Sequence, residues 1–163
     1  MCDAEQKPLP GGVQRVAAQL QAQGHPHRPQ MLDAAARTAQ QAADALGIAV
    51  GQIAKSIIFR RVADDAAVLV VTSGDQRVDA QKLTALVGPV GRADAAFVKA
   101  RTGFSIGGVA PVAHALPCVT LIDQKLFRFA EIWAAAGHPH AVFALSPDDL
   151  VRLTGAPVAD VVV

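Results

Sequence analysis

Apolar residues recur along this chain at two spacings, and the switches between those spacings mark out the elements. Val13, Val16, Ala17 and Leu20 fall on one helical face, with Gly24 placed to end that helix. His25 to Pro29 carries two prolines and reads as extended chain or loop. Thr38 is followed three residues later by Gln41, a capping-box pattern in which the hydroxyl and the side-chain amide satisfy backbone amides at a helix start. That helix continues through Ala42, Ala45 and Leu46 to Gly47. Ile53 to Arg61 is rich in β-branched residues and predicts a strand; Asp64-Asp65 predicts a turn, and Ala66 to Thr72 a second strand, giving an antiparallel hairpin. Asp79 is placed to cap a helix whose Leu83, Leu86 and Val87 face the core, ending at Gly88. Asp94 to Arg101 predicts a short helix anchored by Phe97, with Gly103 beyond it. Val119 to Ile122 predicts a strand, and residues 132–136 and 141–145 two more around Gly137-His138-Pro139-His140. The last helix has the fullest set of signals: Ser146 as N-cap, Pro147 at the first position, Asp148 and Asp149 complementing the dipole, and Gly155 past the end.

Hairpins and helices are mixed here rather than strictly alternating, which predicts an α+β (mixed α/β) fold. No internal repeat interrupts the chain, and 163 residues suit one domain. Residues 1–12 read as a flexible tail and 13–163 as the domain. Hydrophobic residues make up 52% and charged ones 18%, enough apolar surface to build a core, although much of it is alanine.

Composition also narrows the function. Aromatics are 4% with no tyrosine, which argues against a stacking platform for single strands. A net charge of +1 supplies no basic field to hold nucleic acid unaided, so a nucleic-acid partner must be gripped by local patches or by a small group attached to it. No apolar run approaches the roughly 18 residues of a membrane span. Met1 to Pro10 is polar and lacks the apolar core of a secretory signal, so the expected location is cytoplasmic. Cys2 and Cys118 show neither metal-ligand spacing nor a disulfide framework, which fits a reducing compartment.

Three features could carry chemistry. Side chains alternate along a strand, so Lys55 shares a face with Ile53, Ile57 and Phe59, while Ser56, Ile58 and Arg60 take the other. A lysine in that register either snorkels from a strand end or stands partly desolvated in a cleft, aimed at a carbonyl or phosphate. Gly103-Phe104-Ser105-Ile106-Gly107-Gly108-Val109-Ala110-Pro111 is the second feature: paired glycines let main-chain amides approach a ligand, as in an oxyanion hole, or else simply make a tight turn. The third is the histidines. His25 with His27, and His138 with His140, have the spacing of extended-chain pairs, but no carboxylate or cysteine lies at ligand spacing beside them. His114 reads as a satisfied, half-buried imidazole. No GxGxxG, GxxxxGK[ST] or GxSxG motif is present, and neither cysteine has a nucleophile's context. An enzyme built this way works by positioning and electrostatics rather than through a protein nucleophile.

Taken together, Arg37 to Gly47, Gln52 to Ile57, the GxxxGGVxP run from Gly103 to Pro111, Ala136 to Leu150, and Val158 to Val161 resemble the YbaK/prolyl-tRNA-synthetase-associated domain family of aminoacyl-tRNA deacylases. The resemblance runs from about His25 to the end with the motifs in order, and is nearest to free-standing members acting in trans. It implies a mixed sheet curled toward a partial barrel with helices around it. It implies a hydrolase that clears mischarged tRNA, typically tRNA for proline carrying alanine, cysteine or another small amino acid, with no metal or other cofactor. Prolyl-tRNA synthetase is the implied protein partner, with no DNA and no membrane involved. The family's lysine maps onto Lys55 and its loop amides onto Gly107 and Gly108; Thr38, Ser105, Ile106, Val109, Gly137 and His138 are the implied substrate contacts. Phe104 joins Ile106 and Val109 as a candidate wall, and Arg60, Arg61 and Arg101 are either rim contacts for phosphates or, more commonly for such residues, solvated surface charge. Members often carry a small hydroxyl residue where His138 stands and a glycine where Ala113 stands, and both differences bear on pocket shape. Two other readings stand beside the deacylase: a non-catalytic module that binds tRNA or a synthetase, and a metal hydrolase built on the HxH pairs.

Overall fold

The structure, a computed structural model, describes residues 9–163. Five helices, α1 (Gly11–Ala22), α2 (Ala39–Leu46), α3 (Ala80–Val87), α4 (Ala95–Thr102) and α5 (Pro147–Thr154), surround one sheet among the described residues. Its strands are β1 (Gln30–Met31), β2 (Ile53–Arg61), β3 (Ala67–Ser73), β4 (Val90–Arg92), β5 (Val119–Asp123), β6 (Ile132–Ala135), β7 (Ala141–Leu145) and β8 (Val158–Ala159). The order is β1-β7-β6-β2-β3-β5-β8, with β4 attached to β2 beside this path. Pairing is mixed: β2·β3 and β6·β7 are antiparallel, while β2·β6 and β3·β5 are parallel. The expected mixed α/β class is what the chain adopts.

The β2·β3 hairpin is the spine. Ala54 pairs with Ser73 and Arg60 with Ala67, and Asp65 closes the turn at φ 57, a conformation that aspartate tolerates better than most residues. All seven residues of β3 are buried, because both of its faces are covered. Leu69 and Val71 pack on the side of α1 and α5, with Val13, Val16, Phe143 and Leu150. Val68 and Val70 pack on the other, with Leu83 of α3 and Leu121 of β5.

The second edge of β2 is shared between two partners. β6 covers Ile53 and Ala54, and β4 covers Phe59 to Arg61. Lys55 to Ile58 have no strand partner on that side, so the sheet forks and leaves an opening. Hydrogen bonds at the ends fix which residues face it. The Arg61 amide donates to Ala66 O and the Val62 amide to Pro89 O, so odd positions bond β3 and even positions bond outward. The main-chain groups of Ser56 and Ile58 therefore point into the opening.

Several local expectations need correction. The predicted tail lies mostly outside the described residues, as does Cys2, and its last two residues, Gly11 and Gly12, already belong to α1. A Cβ on Gly12 would run into the carbonyl oxygen of Gly137, so glycine is what lets α1 start this early against that loop. Phe97 is not a core anchor. It is half-exposed, with the Arg60 and Arg101 guanidinium carbons 5.7 and 5.1 Å from its ring centroid, and Val98 and Thr102, one helical turn apart, are the buried residues of α4. The capping box of α2 is half formed as read. Thr38 Oγ1 accepts from the Gln41 amide at 3.1 Å, but Gln41 Oε1 accepts from Arg37 N rather than from Thr38 N. The strands β1, β4 and β8, two or three residues each, went unpredicted.

Candidate functional site

The opening beside β2 is the mouth of a cavity of about 670 Å3. Six consecutive residues, Ile53 to Ile58, line it. A strand inside a sheet would offer only alternate residues, so this run is the signature of a strand approached from its open edge. Further walls come from the start of α2, the turn Ile106–Gly107 with Val109, the loop after β6 at His138 and Pro139, and parts of α4, β6 and β7.

Lys55 pairs with Thr72 in register, is half-buried, and lines this cavity. It has no ion-pair or hydrogen-bond partner among the described residues. Burial pushes its pKa below the ordinary lysine value; repulsion from Arg77 adds to the fall, and the carboxylate of Asp75 opposes it. Of the two sequence readings, this placement favours the desolvated lysine in a cleft. Among the described residues, the only other charged one on the wall is Arg37, and no aspartate or glutamate lines it.

The glycine run forms a β-turn from Ser105 to Gly108. Gly107 takes φ +94, in the region that favours glycine, and the Gly108 amide donates to Ser105 O at 3.0 Å. That closing bond commits the Gly108 N–H, so the expected pair of oxyanion donors is reduced to one. The Gly107 N–H has no backbone partner among the described residues. Gly108 serves in another way: a Cβ there would lie 2.8 Å from His138 Cα, so its absence lets the two loops meet.

The other expected contacts divide. Thr38, Ile106, Val109 and His138 join Lys55 and Gly107 on the wall, and Ile106 is 59% exposed at the mouth. Ser105 is exposed and off the wall. Gly137, at φ +93, also lies off it and makes room for Gly12 instead. Phe104 is buried in the core with Arg15 stacked 4.5 Å from its ring centroid, so it is not a pocket wall. Ala113 has φ 63, which explains why a glycine suits that position, but it lines a separate hollow of about 290 Å3 and does not shape this cavity.

The histidines have local partners. His25 Nε2 donates to Ala144 O at 2.8 Å, His114 Nε2 donates to Ala110 O at 2.8 Å, and His140 N–H donates to His138 Nδ1 at 3.0 Å. The last bond leaves Nε2 as the protonated nitrogen of a neutral His138 ring. No group of three or more metal-ligating side chains assembles among the described residues.

Arg60 and Arg61 are not free rim cations. Arg60 pairs with Asp65 at 2.7 Å and Arg61 with Asp64 at 2.8 Å, and the Arg61 hydrogen bond helps bring the Asp64 carboxyl down to about 2. Arg101 stacks on Phe97, and none of the three lines the cavity. Of the wall residues outside the expected contacts, Ser56 has a buried hydroxyl with no partner among the described residues, and Arg37 stands beside Gly107. Both lie within the motif segments, one position from Lys55 and Thr38, and adjacency was the available signal.

The family and the fold recur in known proteins. The family profile described as the aminoacyl-tRNA editing domain matches residues 33–153. The uncharacterized protein YwhH of Bacillus subtilis (strain 168) is 32% identical over 122 residues, covering 74% of this chain and 77% of its own. A solved structure described as a "putative trans-editing enzyme for prolyl tRNA synthetase" is 42% identical with TM-score 0.88, covering 96% of this chain and 99% of that one. The structure of protein APE2540 is 33% identical with TM-score 0.85, covering 91% and 99%. No helix among the described residues is long and apolar enough to cross a membrane.

Proposed function

The chain belongs to the aminoacyl-tRNA editing domain family, and from that premise we propose that it is an aminoacyl-tRNA deacylase acting in trans on mischarged tRNA in the cytoplasm. The substrate is tRNA for proline bearing a small non-cognate amino acid such as alanine or cysteine, and prolyl-tRNA synthetase is the partner whose errors are removed. The solved relative named for prolyl-tRNA synthetase supports that choice of tRNA. The observation that carries the reading is that Lys55, a half-buried cation whose ammonium has no partner among the described residues, and Gly107, whose N–H has none among them either, line the same cavity.

The chemistry asks little of the protein, because the ester is already activated. The ester carbonyl oxygen gains negative charge as a nucleophile adds to the carbon. The Gly107 N–H donates to that oxygen, and Lys55 adds a positive charge in a partly desolvated site, where electrostatics count for more than in water. Water supplies the nucleophile directly or after a hydroxyl of the substrate itself has attacked. The acyl–oxygen bond breaks, the ribose oxygen leaves with a proton, and free amino acid and tRNA separate. No step needs a covalent bond to the protein.

Specificity follows from what apolar walls can and cannot do. One methylene is worth about 1–3 kcal/mol, so a synthetase cannot strongly reject a smaller side chain, whereas a second site can refuse a larger one. Ile106 and Val109 are wall residues suited to that sieve.

A panel of tRNA for proline carrying alanine, cysteine, serine, 2-aminobutyrate and proline tests the reading. Rapid deacylation of at least one small non-cognate ester with proline spared supports it. Intact esters throughout would leave the alternative, a module of the same fold that binds tRNA or a synthetase without cleaving.

A further inference from the structure

We propose that Arg37 grips a backbone phosphate of the RNA end that carries the ester. The inference rests on the RNA substrate proposed above and assigns the phosphate contact to a residue outside Lys55 and Gly107.

Among the described residues, Arg37 and Lys55 are the only charged ones on the cavity wall and no carboxylate lines it, so the mouth favours an anion. The two cations differ in setting. Lys55 is half-buried and partly desolvated, suited to a polarised carbonyl, whereas Arg37 is exposed at the entrance. Its guanidinium has no ion-pair or hydrogen-bond partner among the described residues. Arg60, Arg61, Arg128 and Arg152 are all paired with aspartates, and Arg15 donates to the carbonyls of Thr102 and Ala113.

The stem of Arg37 is held where this task needs it. Its amide donates to Gln41 Oε1 at 3.0 Å, and its Cγ and Cβ lie 3.7 and 3.9 Å from where a Cβ on Gly107 would stand. The head is thus free while the base is fixed next to the proposed oxyanion donor. A guanidinium fork matches two phosphate oxygens at once. The terminal nucleotides of tRNA necessarily bring phosphodiesters close to the ester.

Two substrates separate this role from a general one: an aminoacylated RNA with a single-stranded end, and the same amino acid esterified to adenosine without phosphate. Arg37→Gln should raise KM for the RNA about tenfold with kcat held, and leave the adenosine ester unaffected. It should also flatten the fall of log(kcat/KM) with log salt by about 0.7, the share of one single-strand phosphate. Arg37→Lys should recover part of the loss. Equal losses on both substrates, or an unchanged KM for the RNA, would overturn the assignment. If the wild-type protein cleaves neither ester, deacylation fails and Arg37 does not. Affinity for a non-hydrolysable amide-linked aminoacyl RNA then decides, and a loss without the salt effect counts against the assignment.

Discussion

A side chain on Gly108 would meet the main chain of His138, at 2.8 Å from its Cα and carbonyl carbon and 2.9 Å from its nitrogen. The two loops that wall the cavity therefore touch backbone to backbone, and neither can yield by rotating a side chain. At Gly107 the neighbours are side-chain atoms of Arg37 and Pro139 at ordinary contact distance, and the obstacle is φ +94 instead. Gly107→Ala is expected to cost about 1–2 kcal/mol of stability through backbone strain. Gly108→Ala is expected to cost more, up to about 3 kcal/mol, because the loops must part. Denaturant unfolding of both variants checks the order.

Lys55 should weaken the fold that it serves. Its folded pKa lies below the ordinary value of 10.5 because burial disfavours the ammonium. Between the folded and unfolded values the unfolded chain holds the extra proton, so stability rises with pH across that window. Below it the lysine is charged in both states and the burial penalty is present in full. Lys55→Met, apolar and of similar length, is expected to melt above the wild-type protein at neutral pH while losing deacylation. Calorimetry beside an activity assay checks the trade.

The same shift predicts the alkaline limb of activity. In the proposed mechanism a protonated Lys55 faces the developing oxyanion, so kcat/KM should fall as pH rises through a pKa below 10.5. Lys55→Arg keeps its charge over the whole range, so its fall should move to higher pH even if its rate is lower. After subtraction of uncatalysed ester hydrolysis, coincident alkaline limbs for the two proteins would contradict the role.

Ser56 carries a buried hydroxyl without a partner among the described residues, and such a group costs about 1–3 kcal/mol. Ser56→Ala should therefore melt about 2–4 °C higher for each kcal/mol recovered. Because Ser56 lines the cavity, a rise in KM of about two- to tenfold in the same variant would mean that the hydroxyl is kept for the substrate. A lower melting temperature would contradict the stability prediction.

The hairpin and α5 were legible from the sequence because each carries redundant signals. In β2 and β3 these are β-branched runs around Asp64-Asp65; in α5 they are a full set of caps. β1, β4 and β8 are too short to show a period, and pairing alone defines them. Phe97 misled because aromatic size suggests burial, whereas the turn geometry of α4 turns Val98 and Thr102 inward. Within the site, Lys55, Gly107, Thr38, Ile106, Val109 and His138 line one cavity from four separate segments, whereas Gly108, Ser105 and Gly137 do not line it. Which amide closes the turn at Gly108 is decided by backbone geometry, which no residue letter records. The pairing of Arg60 with Asp65 and of Arg61 with Asp64 follows from their spacing across one turn. Adjacency to Thr38 is the mark that Arg37 carries in the sequence, and its place beside Gly107 comes from the fold.

The most direct measurement is the rate at which wild-type and Lys55→Ala proteins release alanine from tRNA for proline, with thermal melts showing that both are folded. A loss of about 10²–10³-fold is the expected result. A folded Lys55→Ala protein that deacylates at the wild-type rate would contradict the central claim that this ammonium and the Gly107 amide act together on one ester.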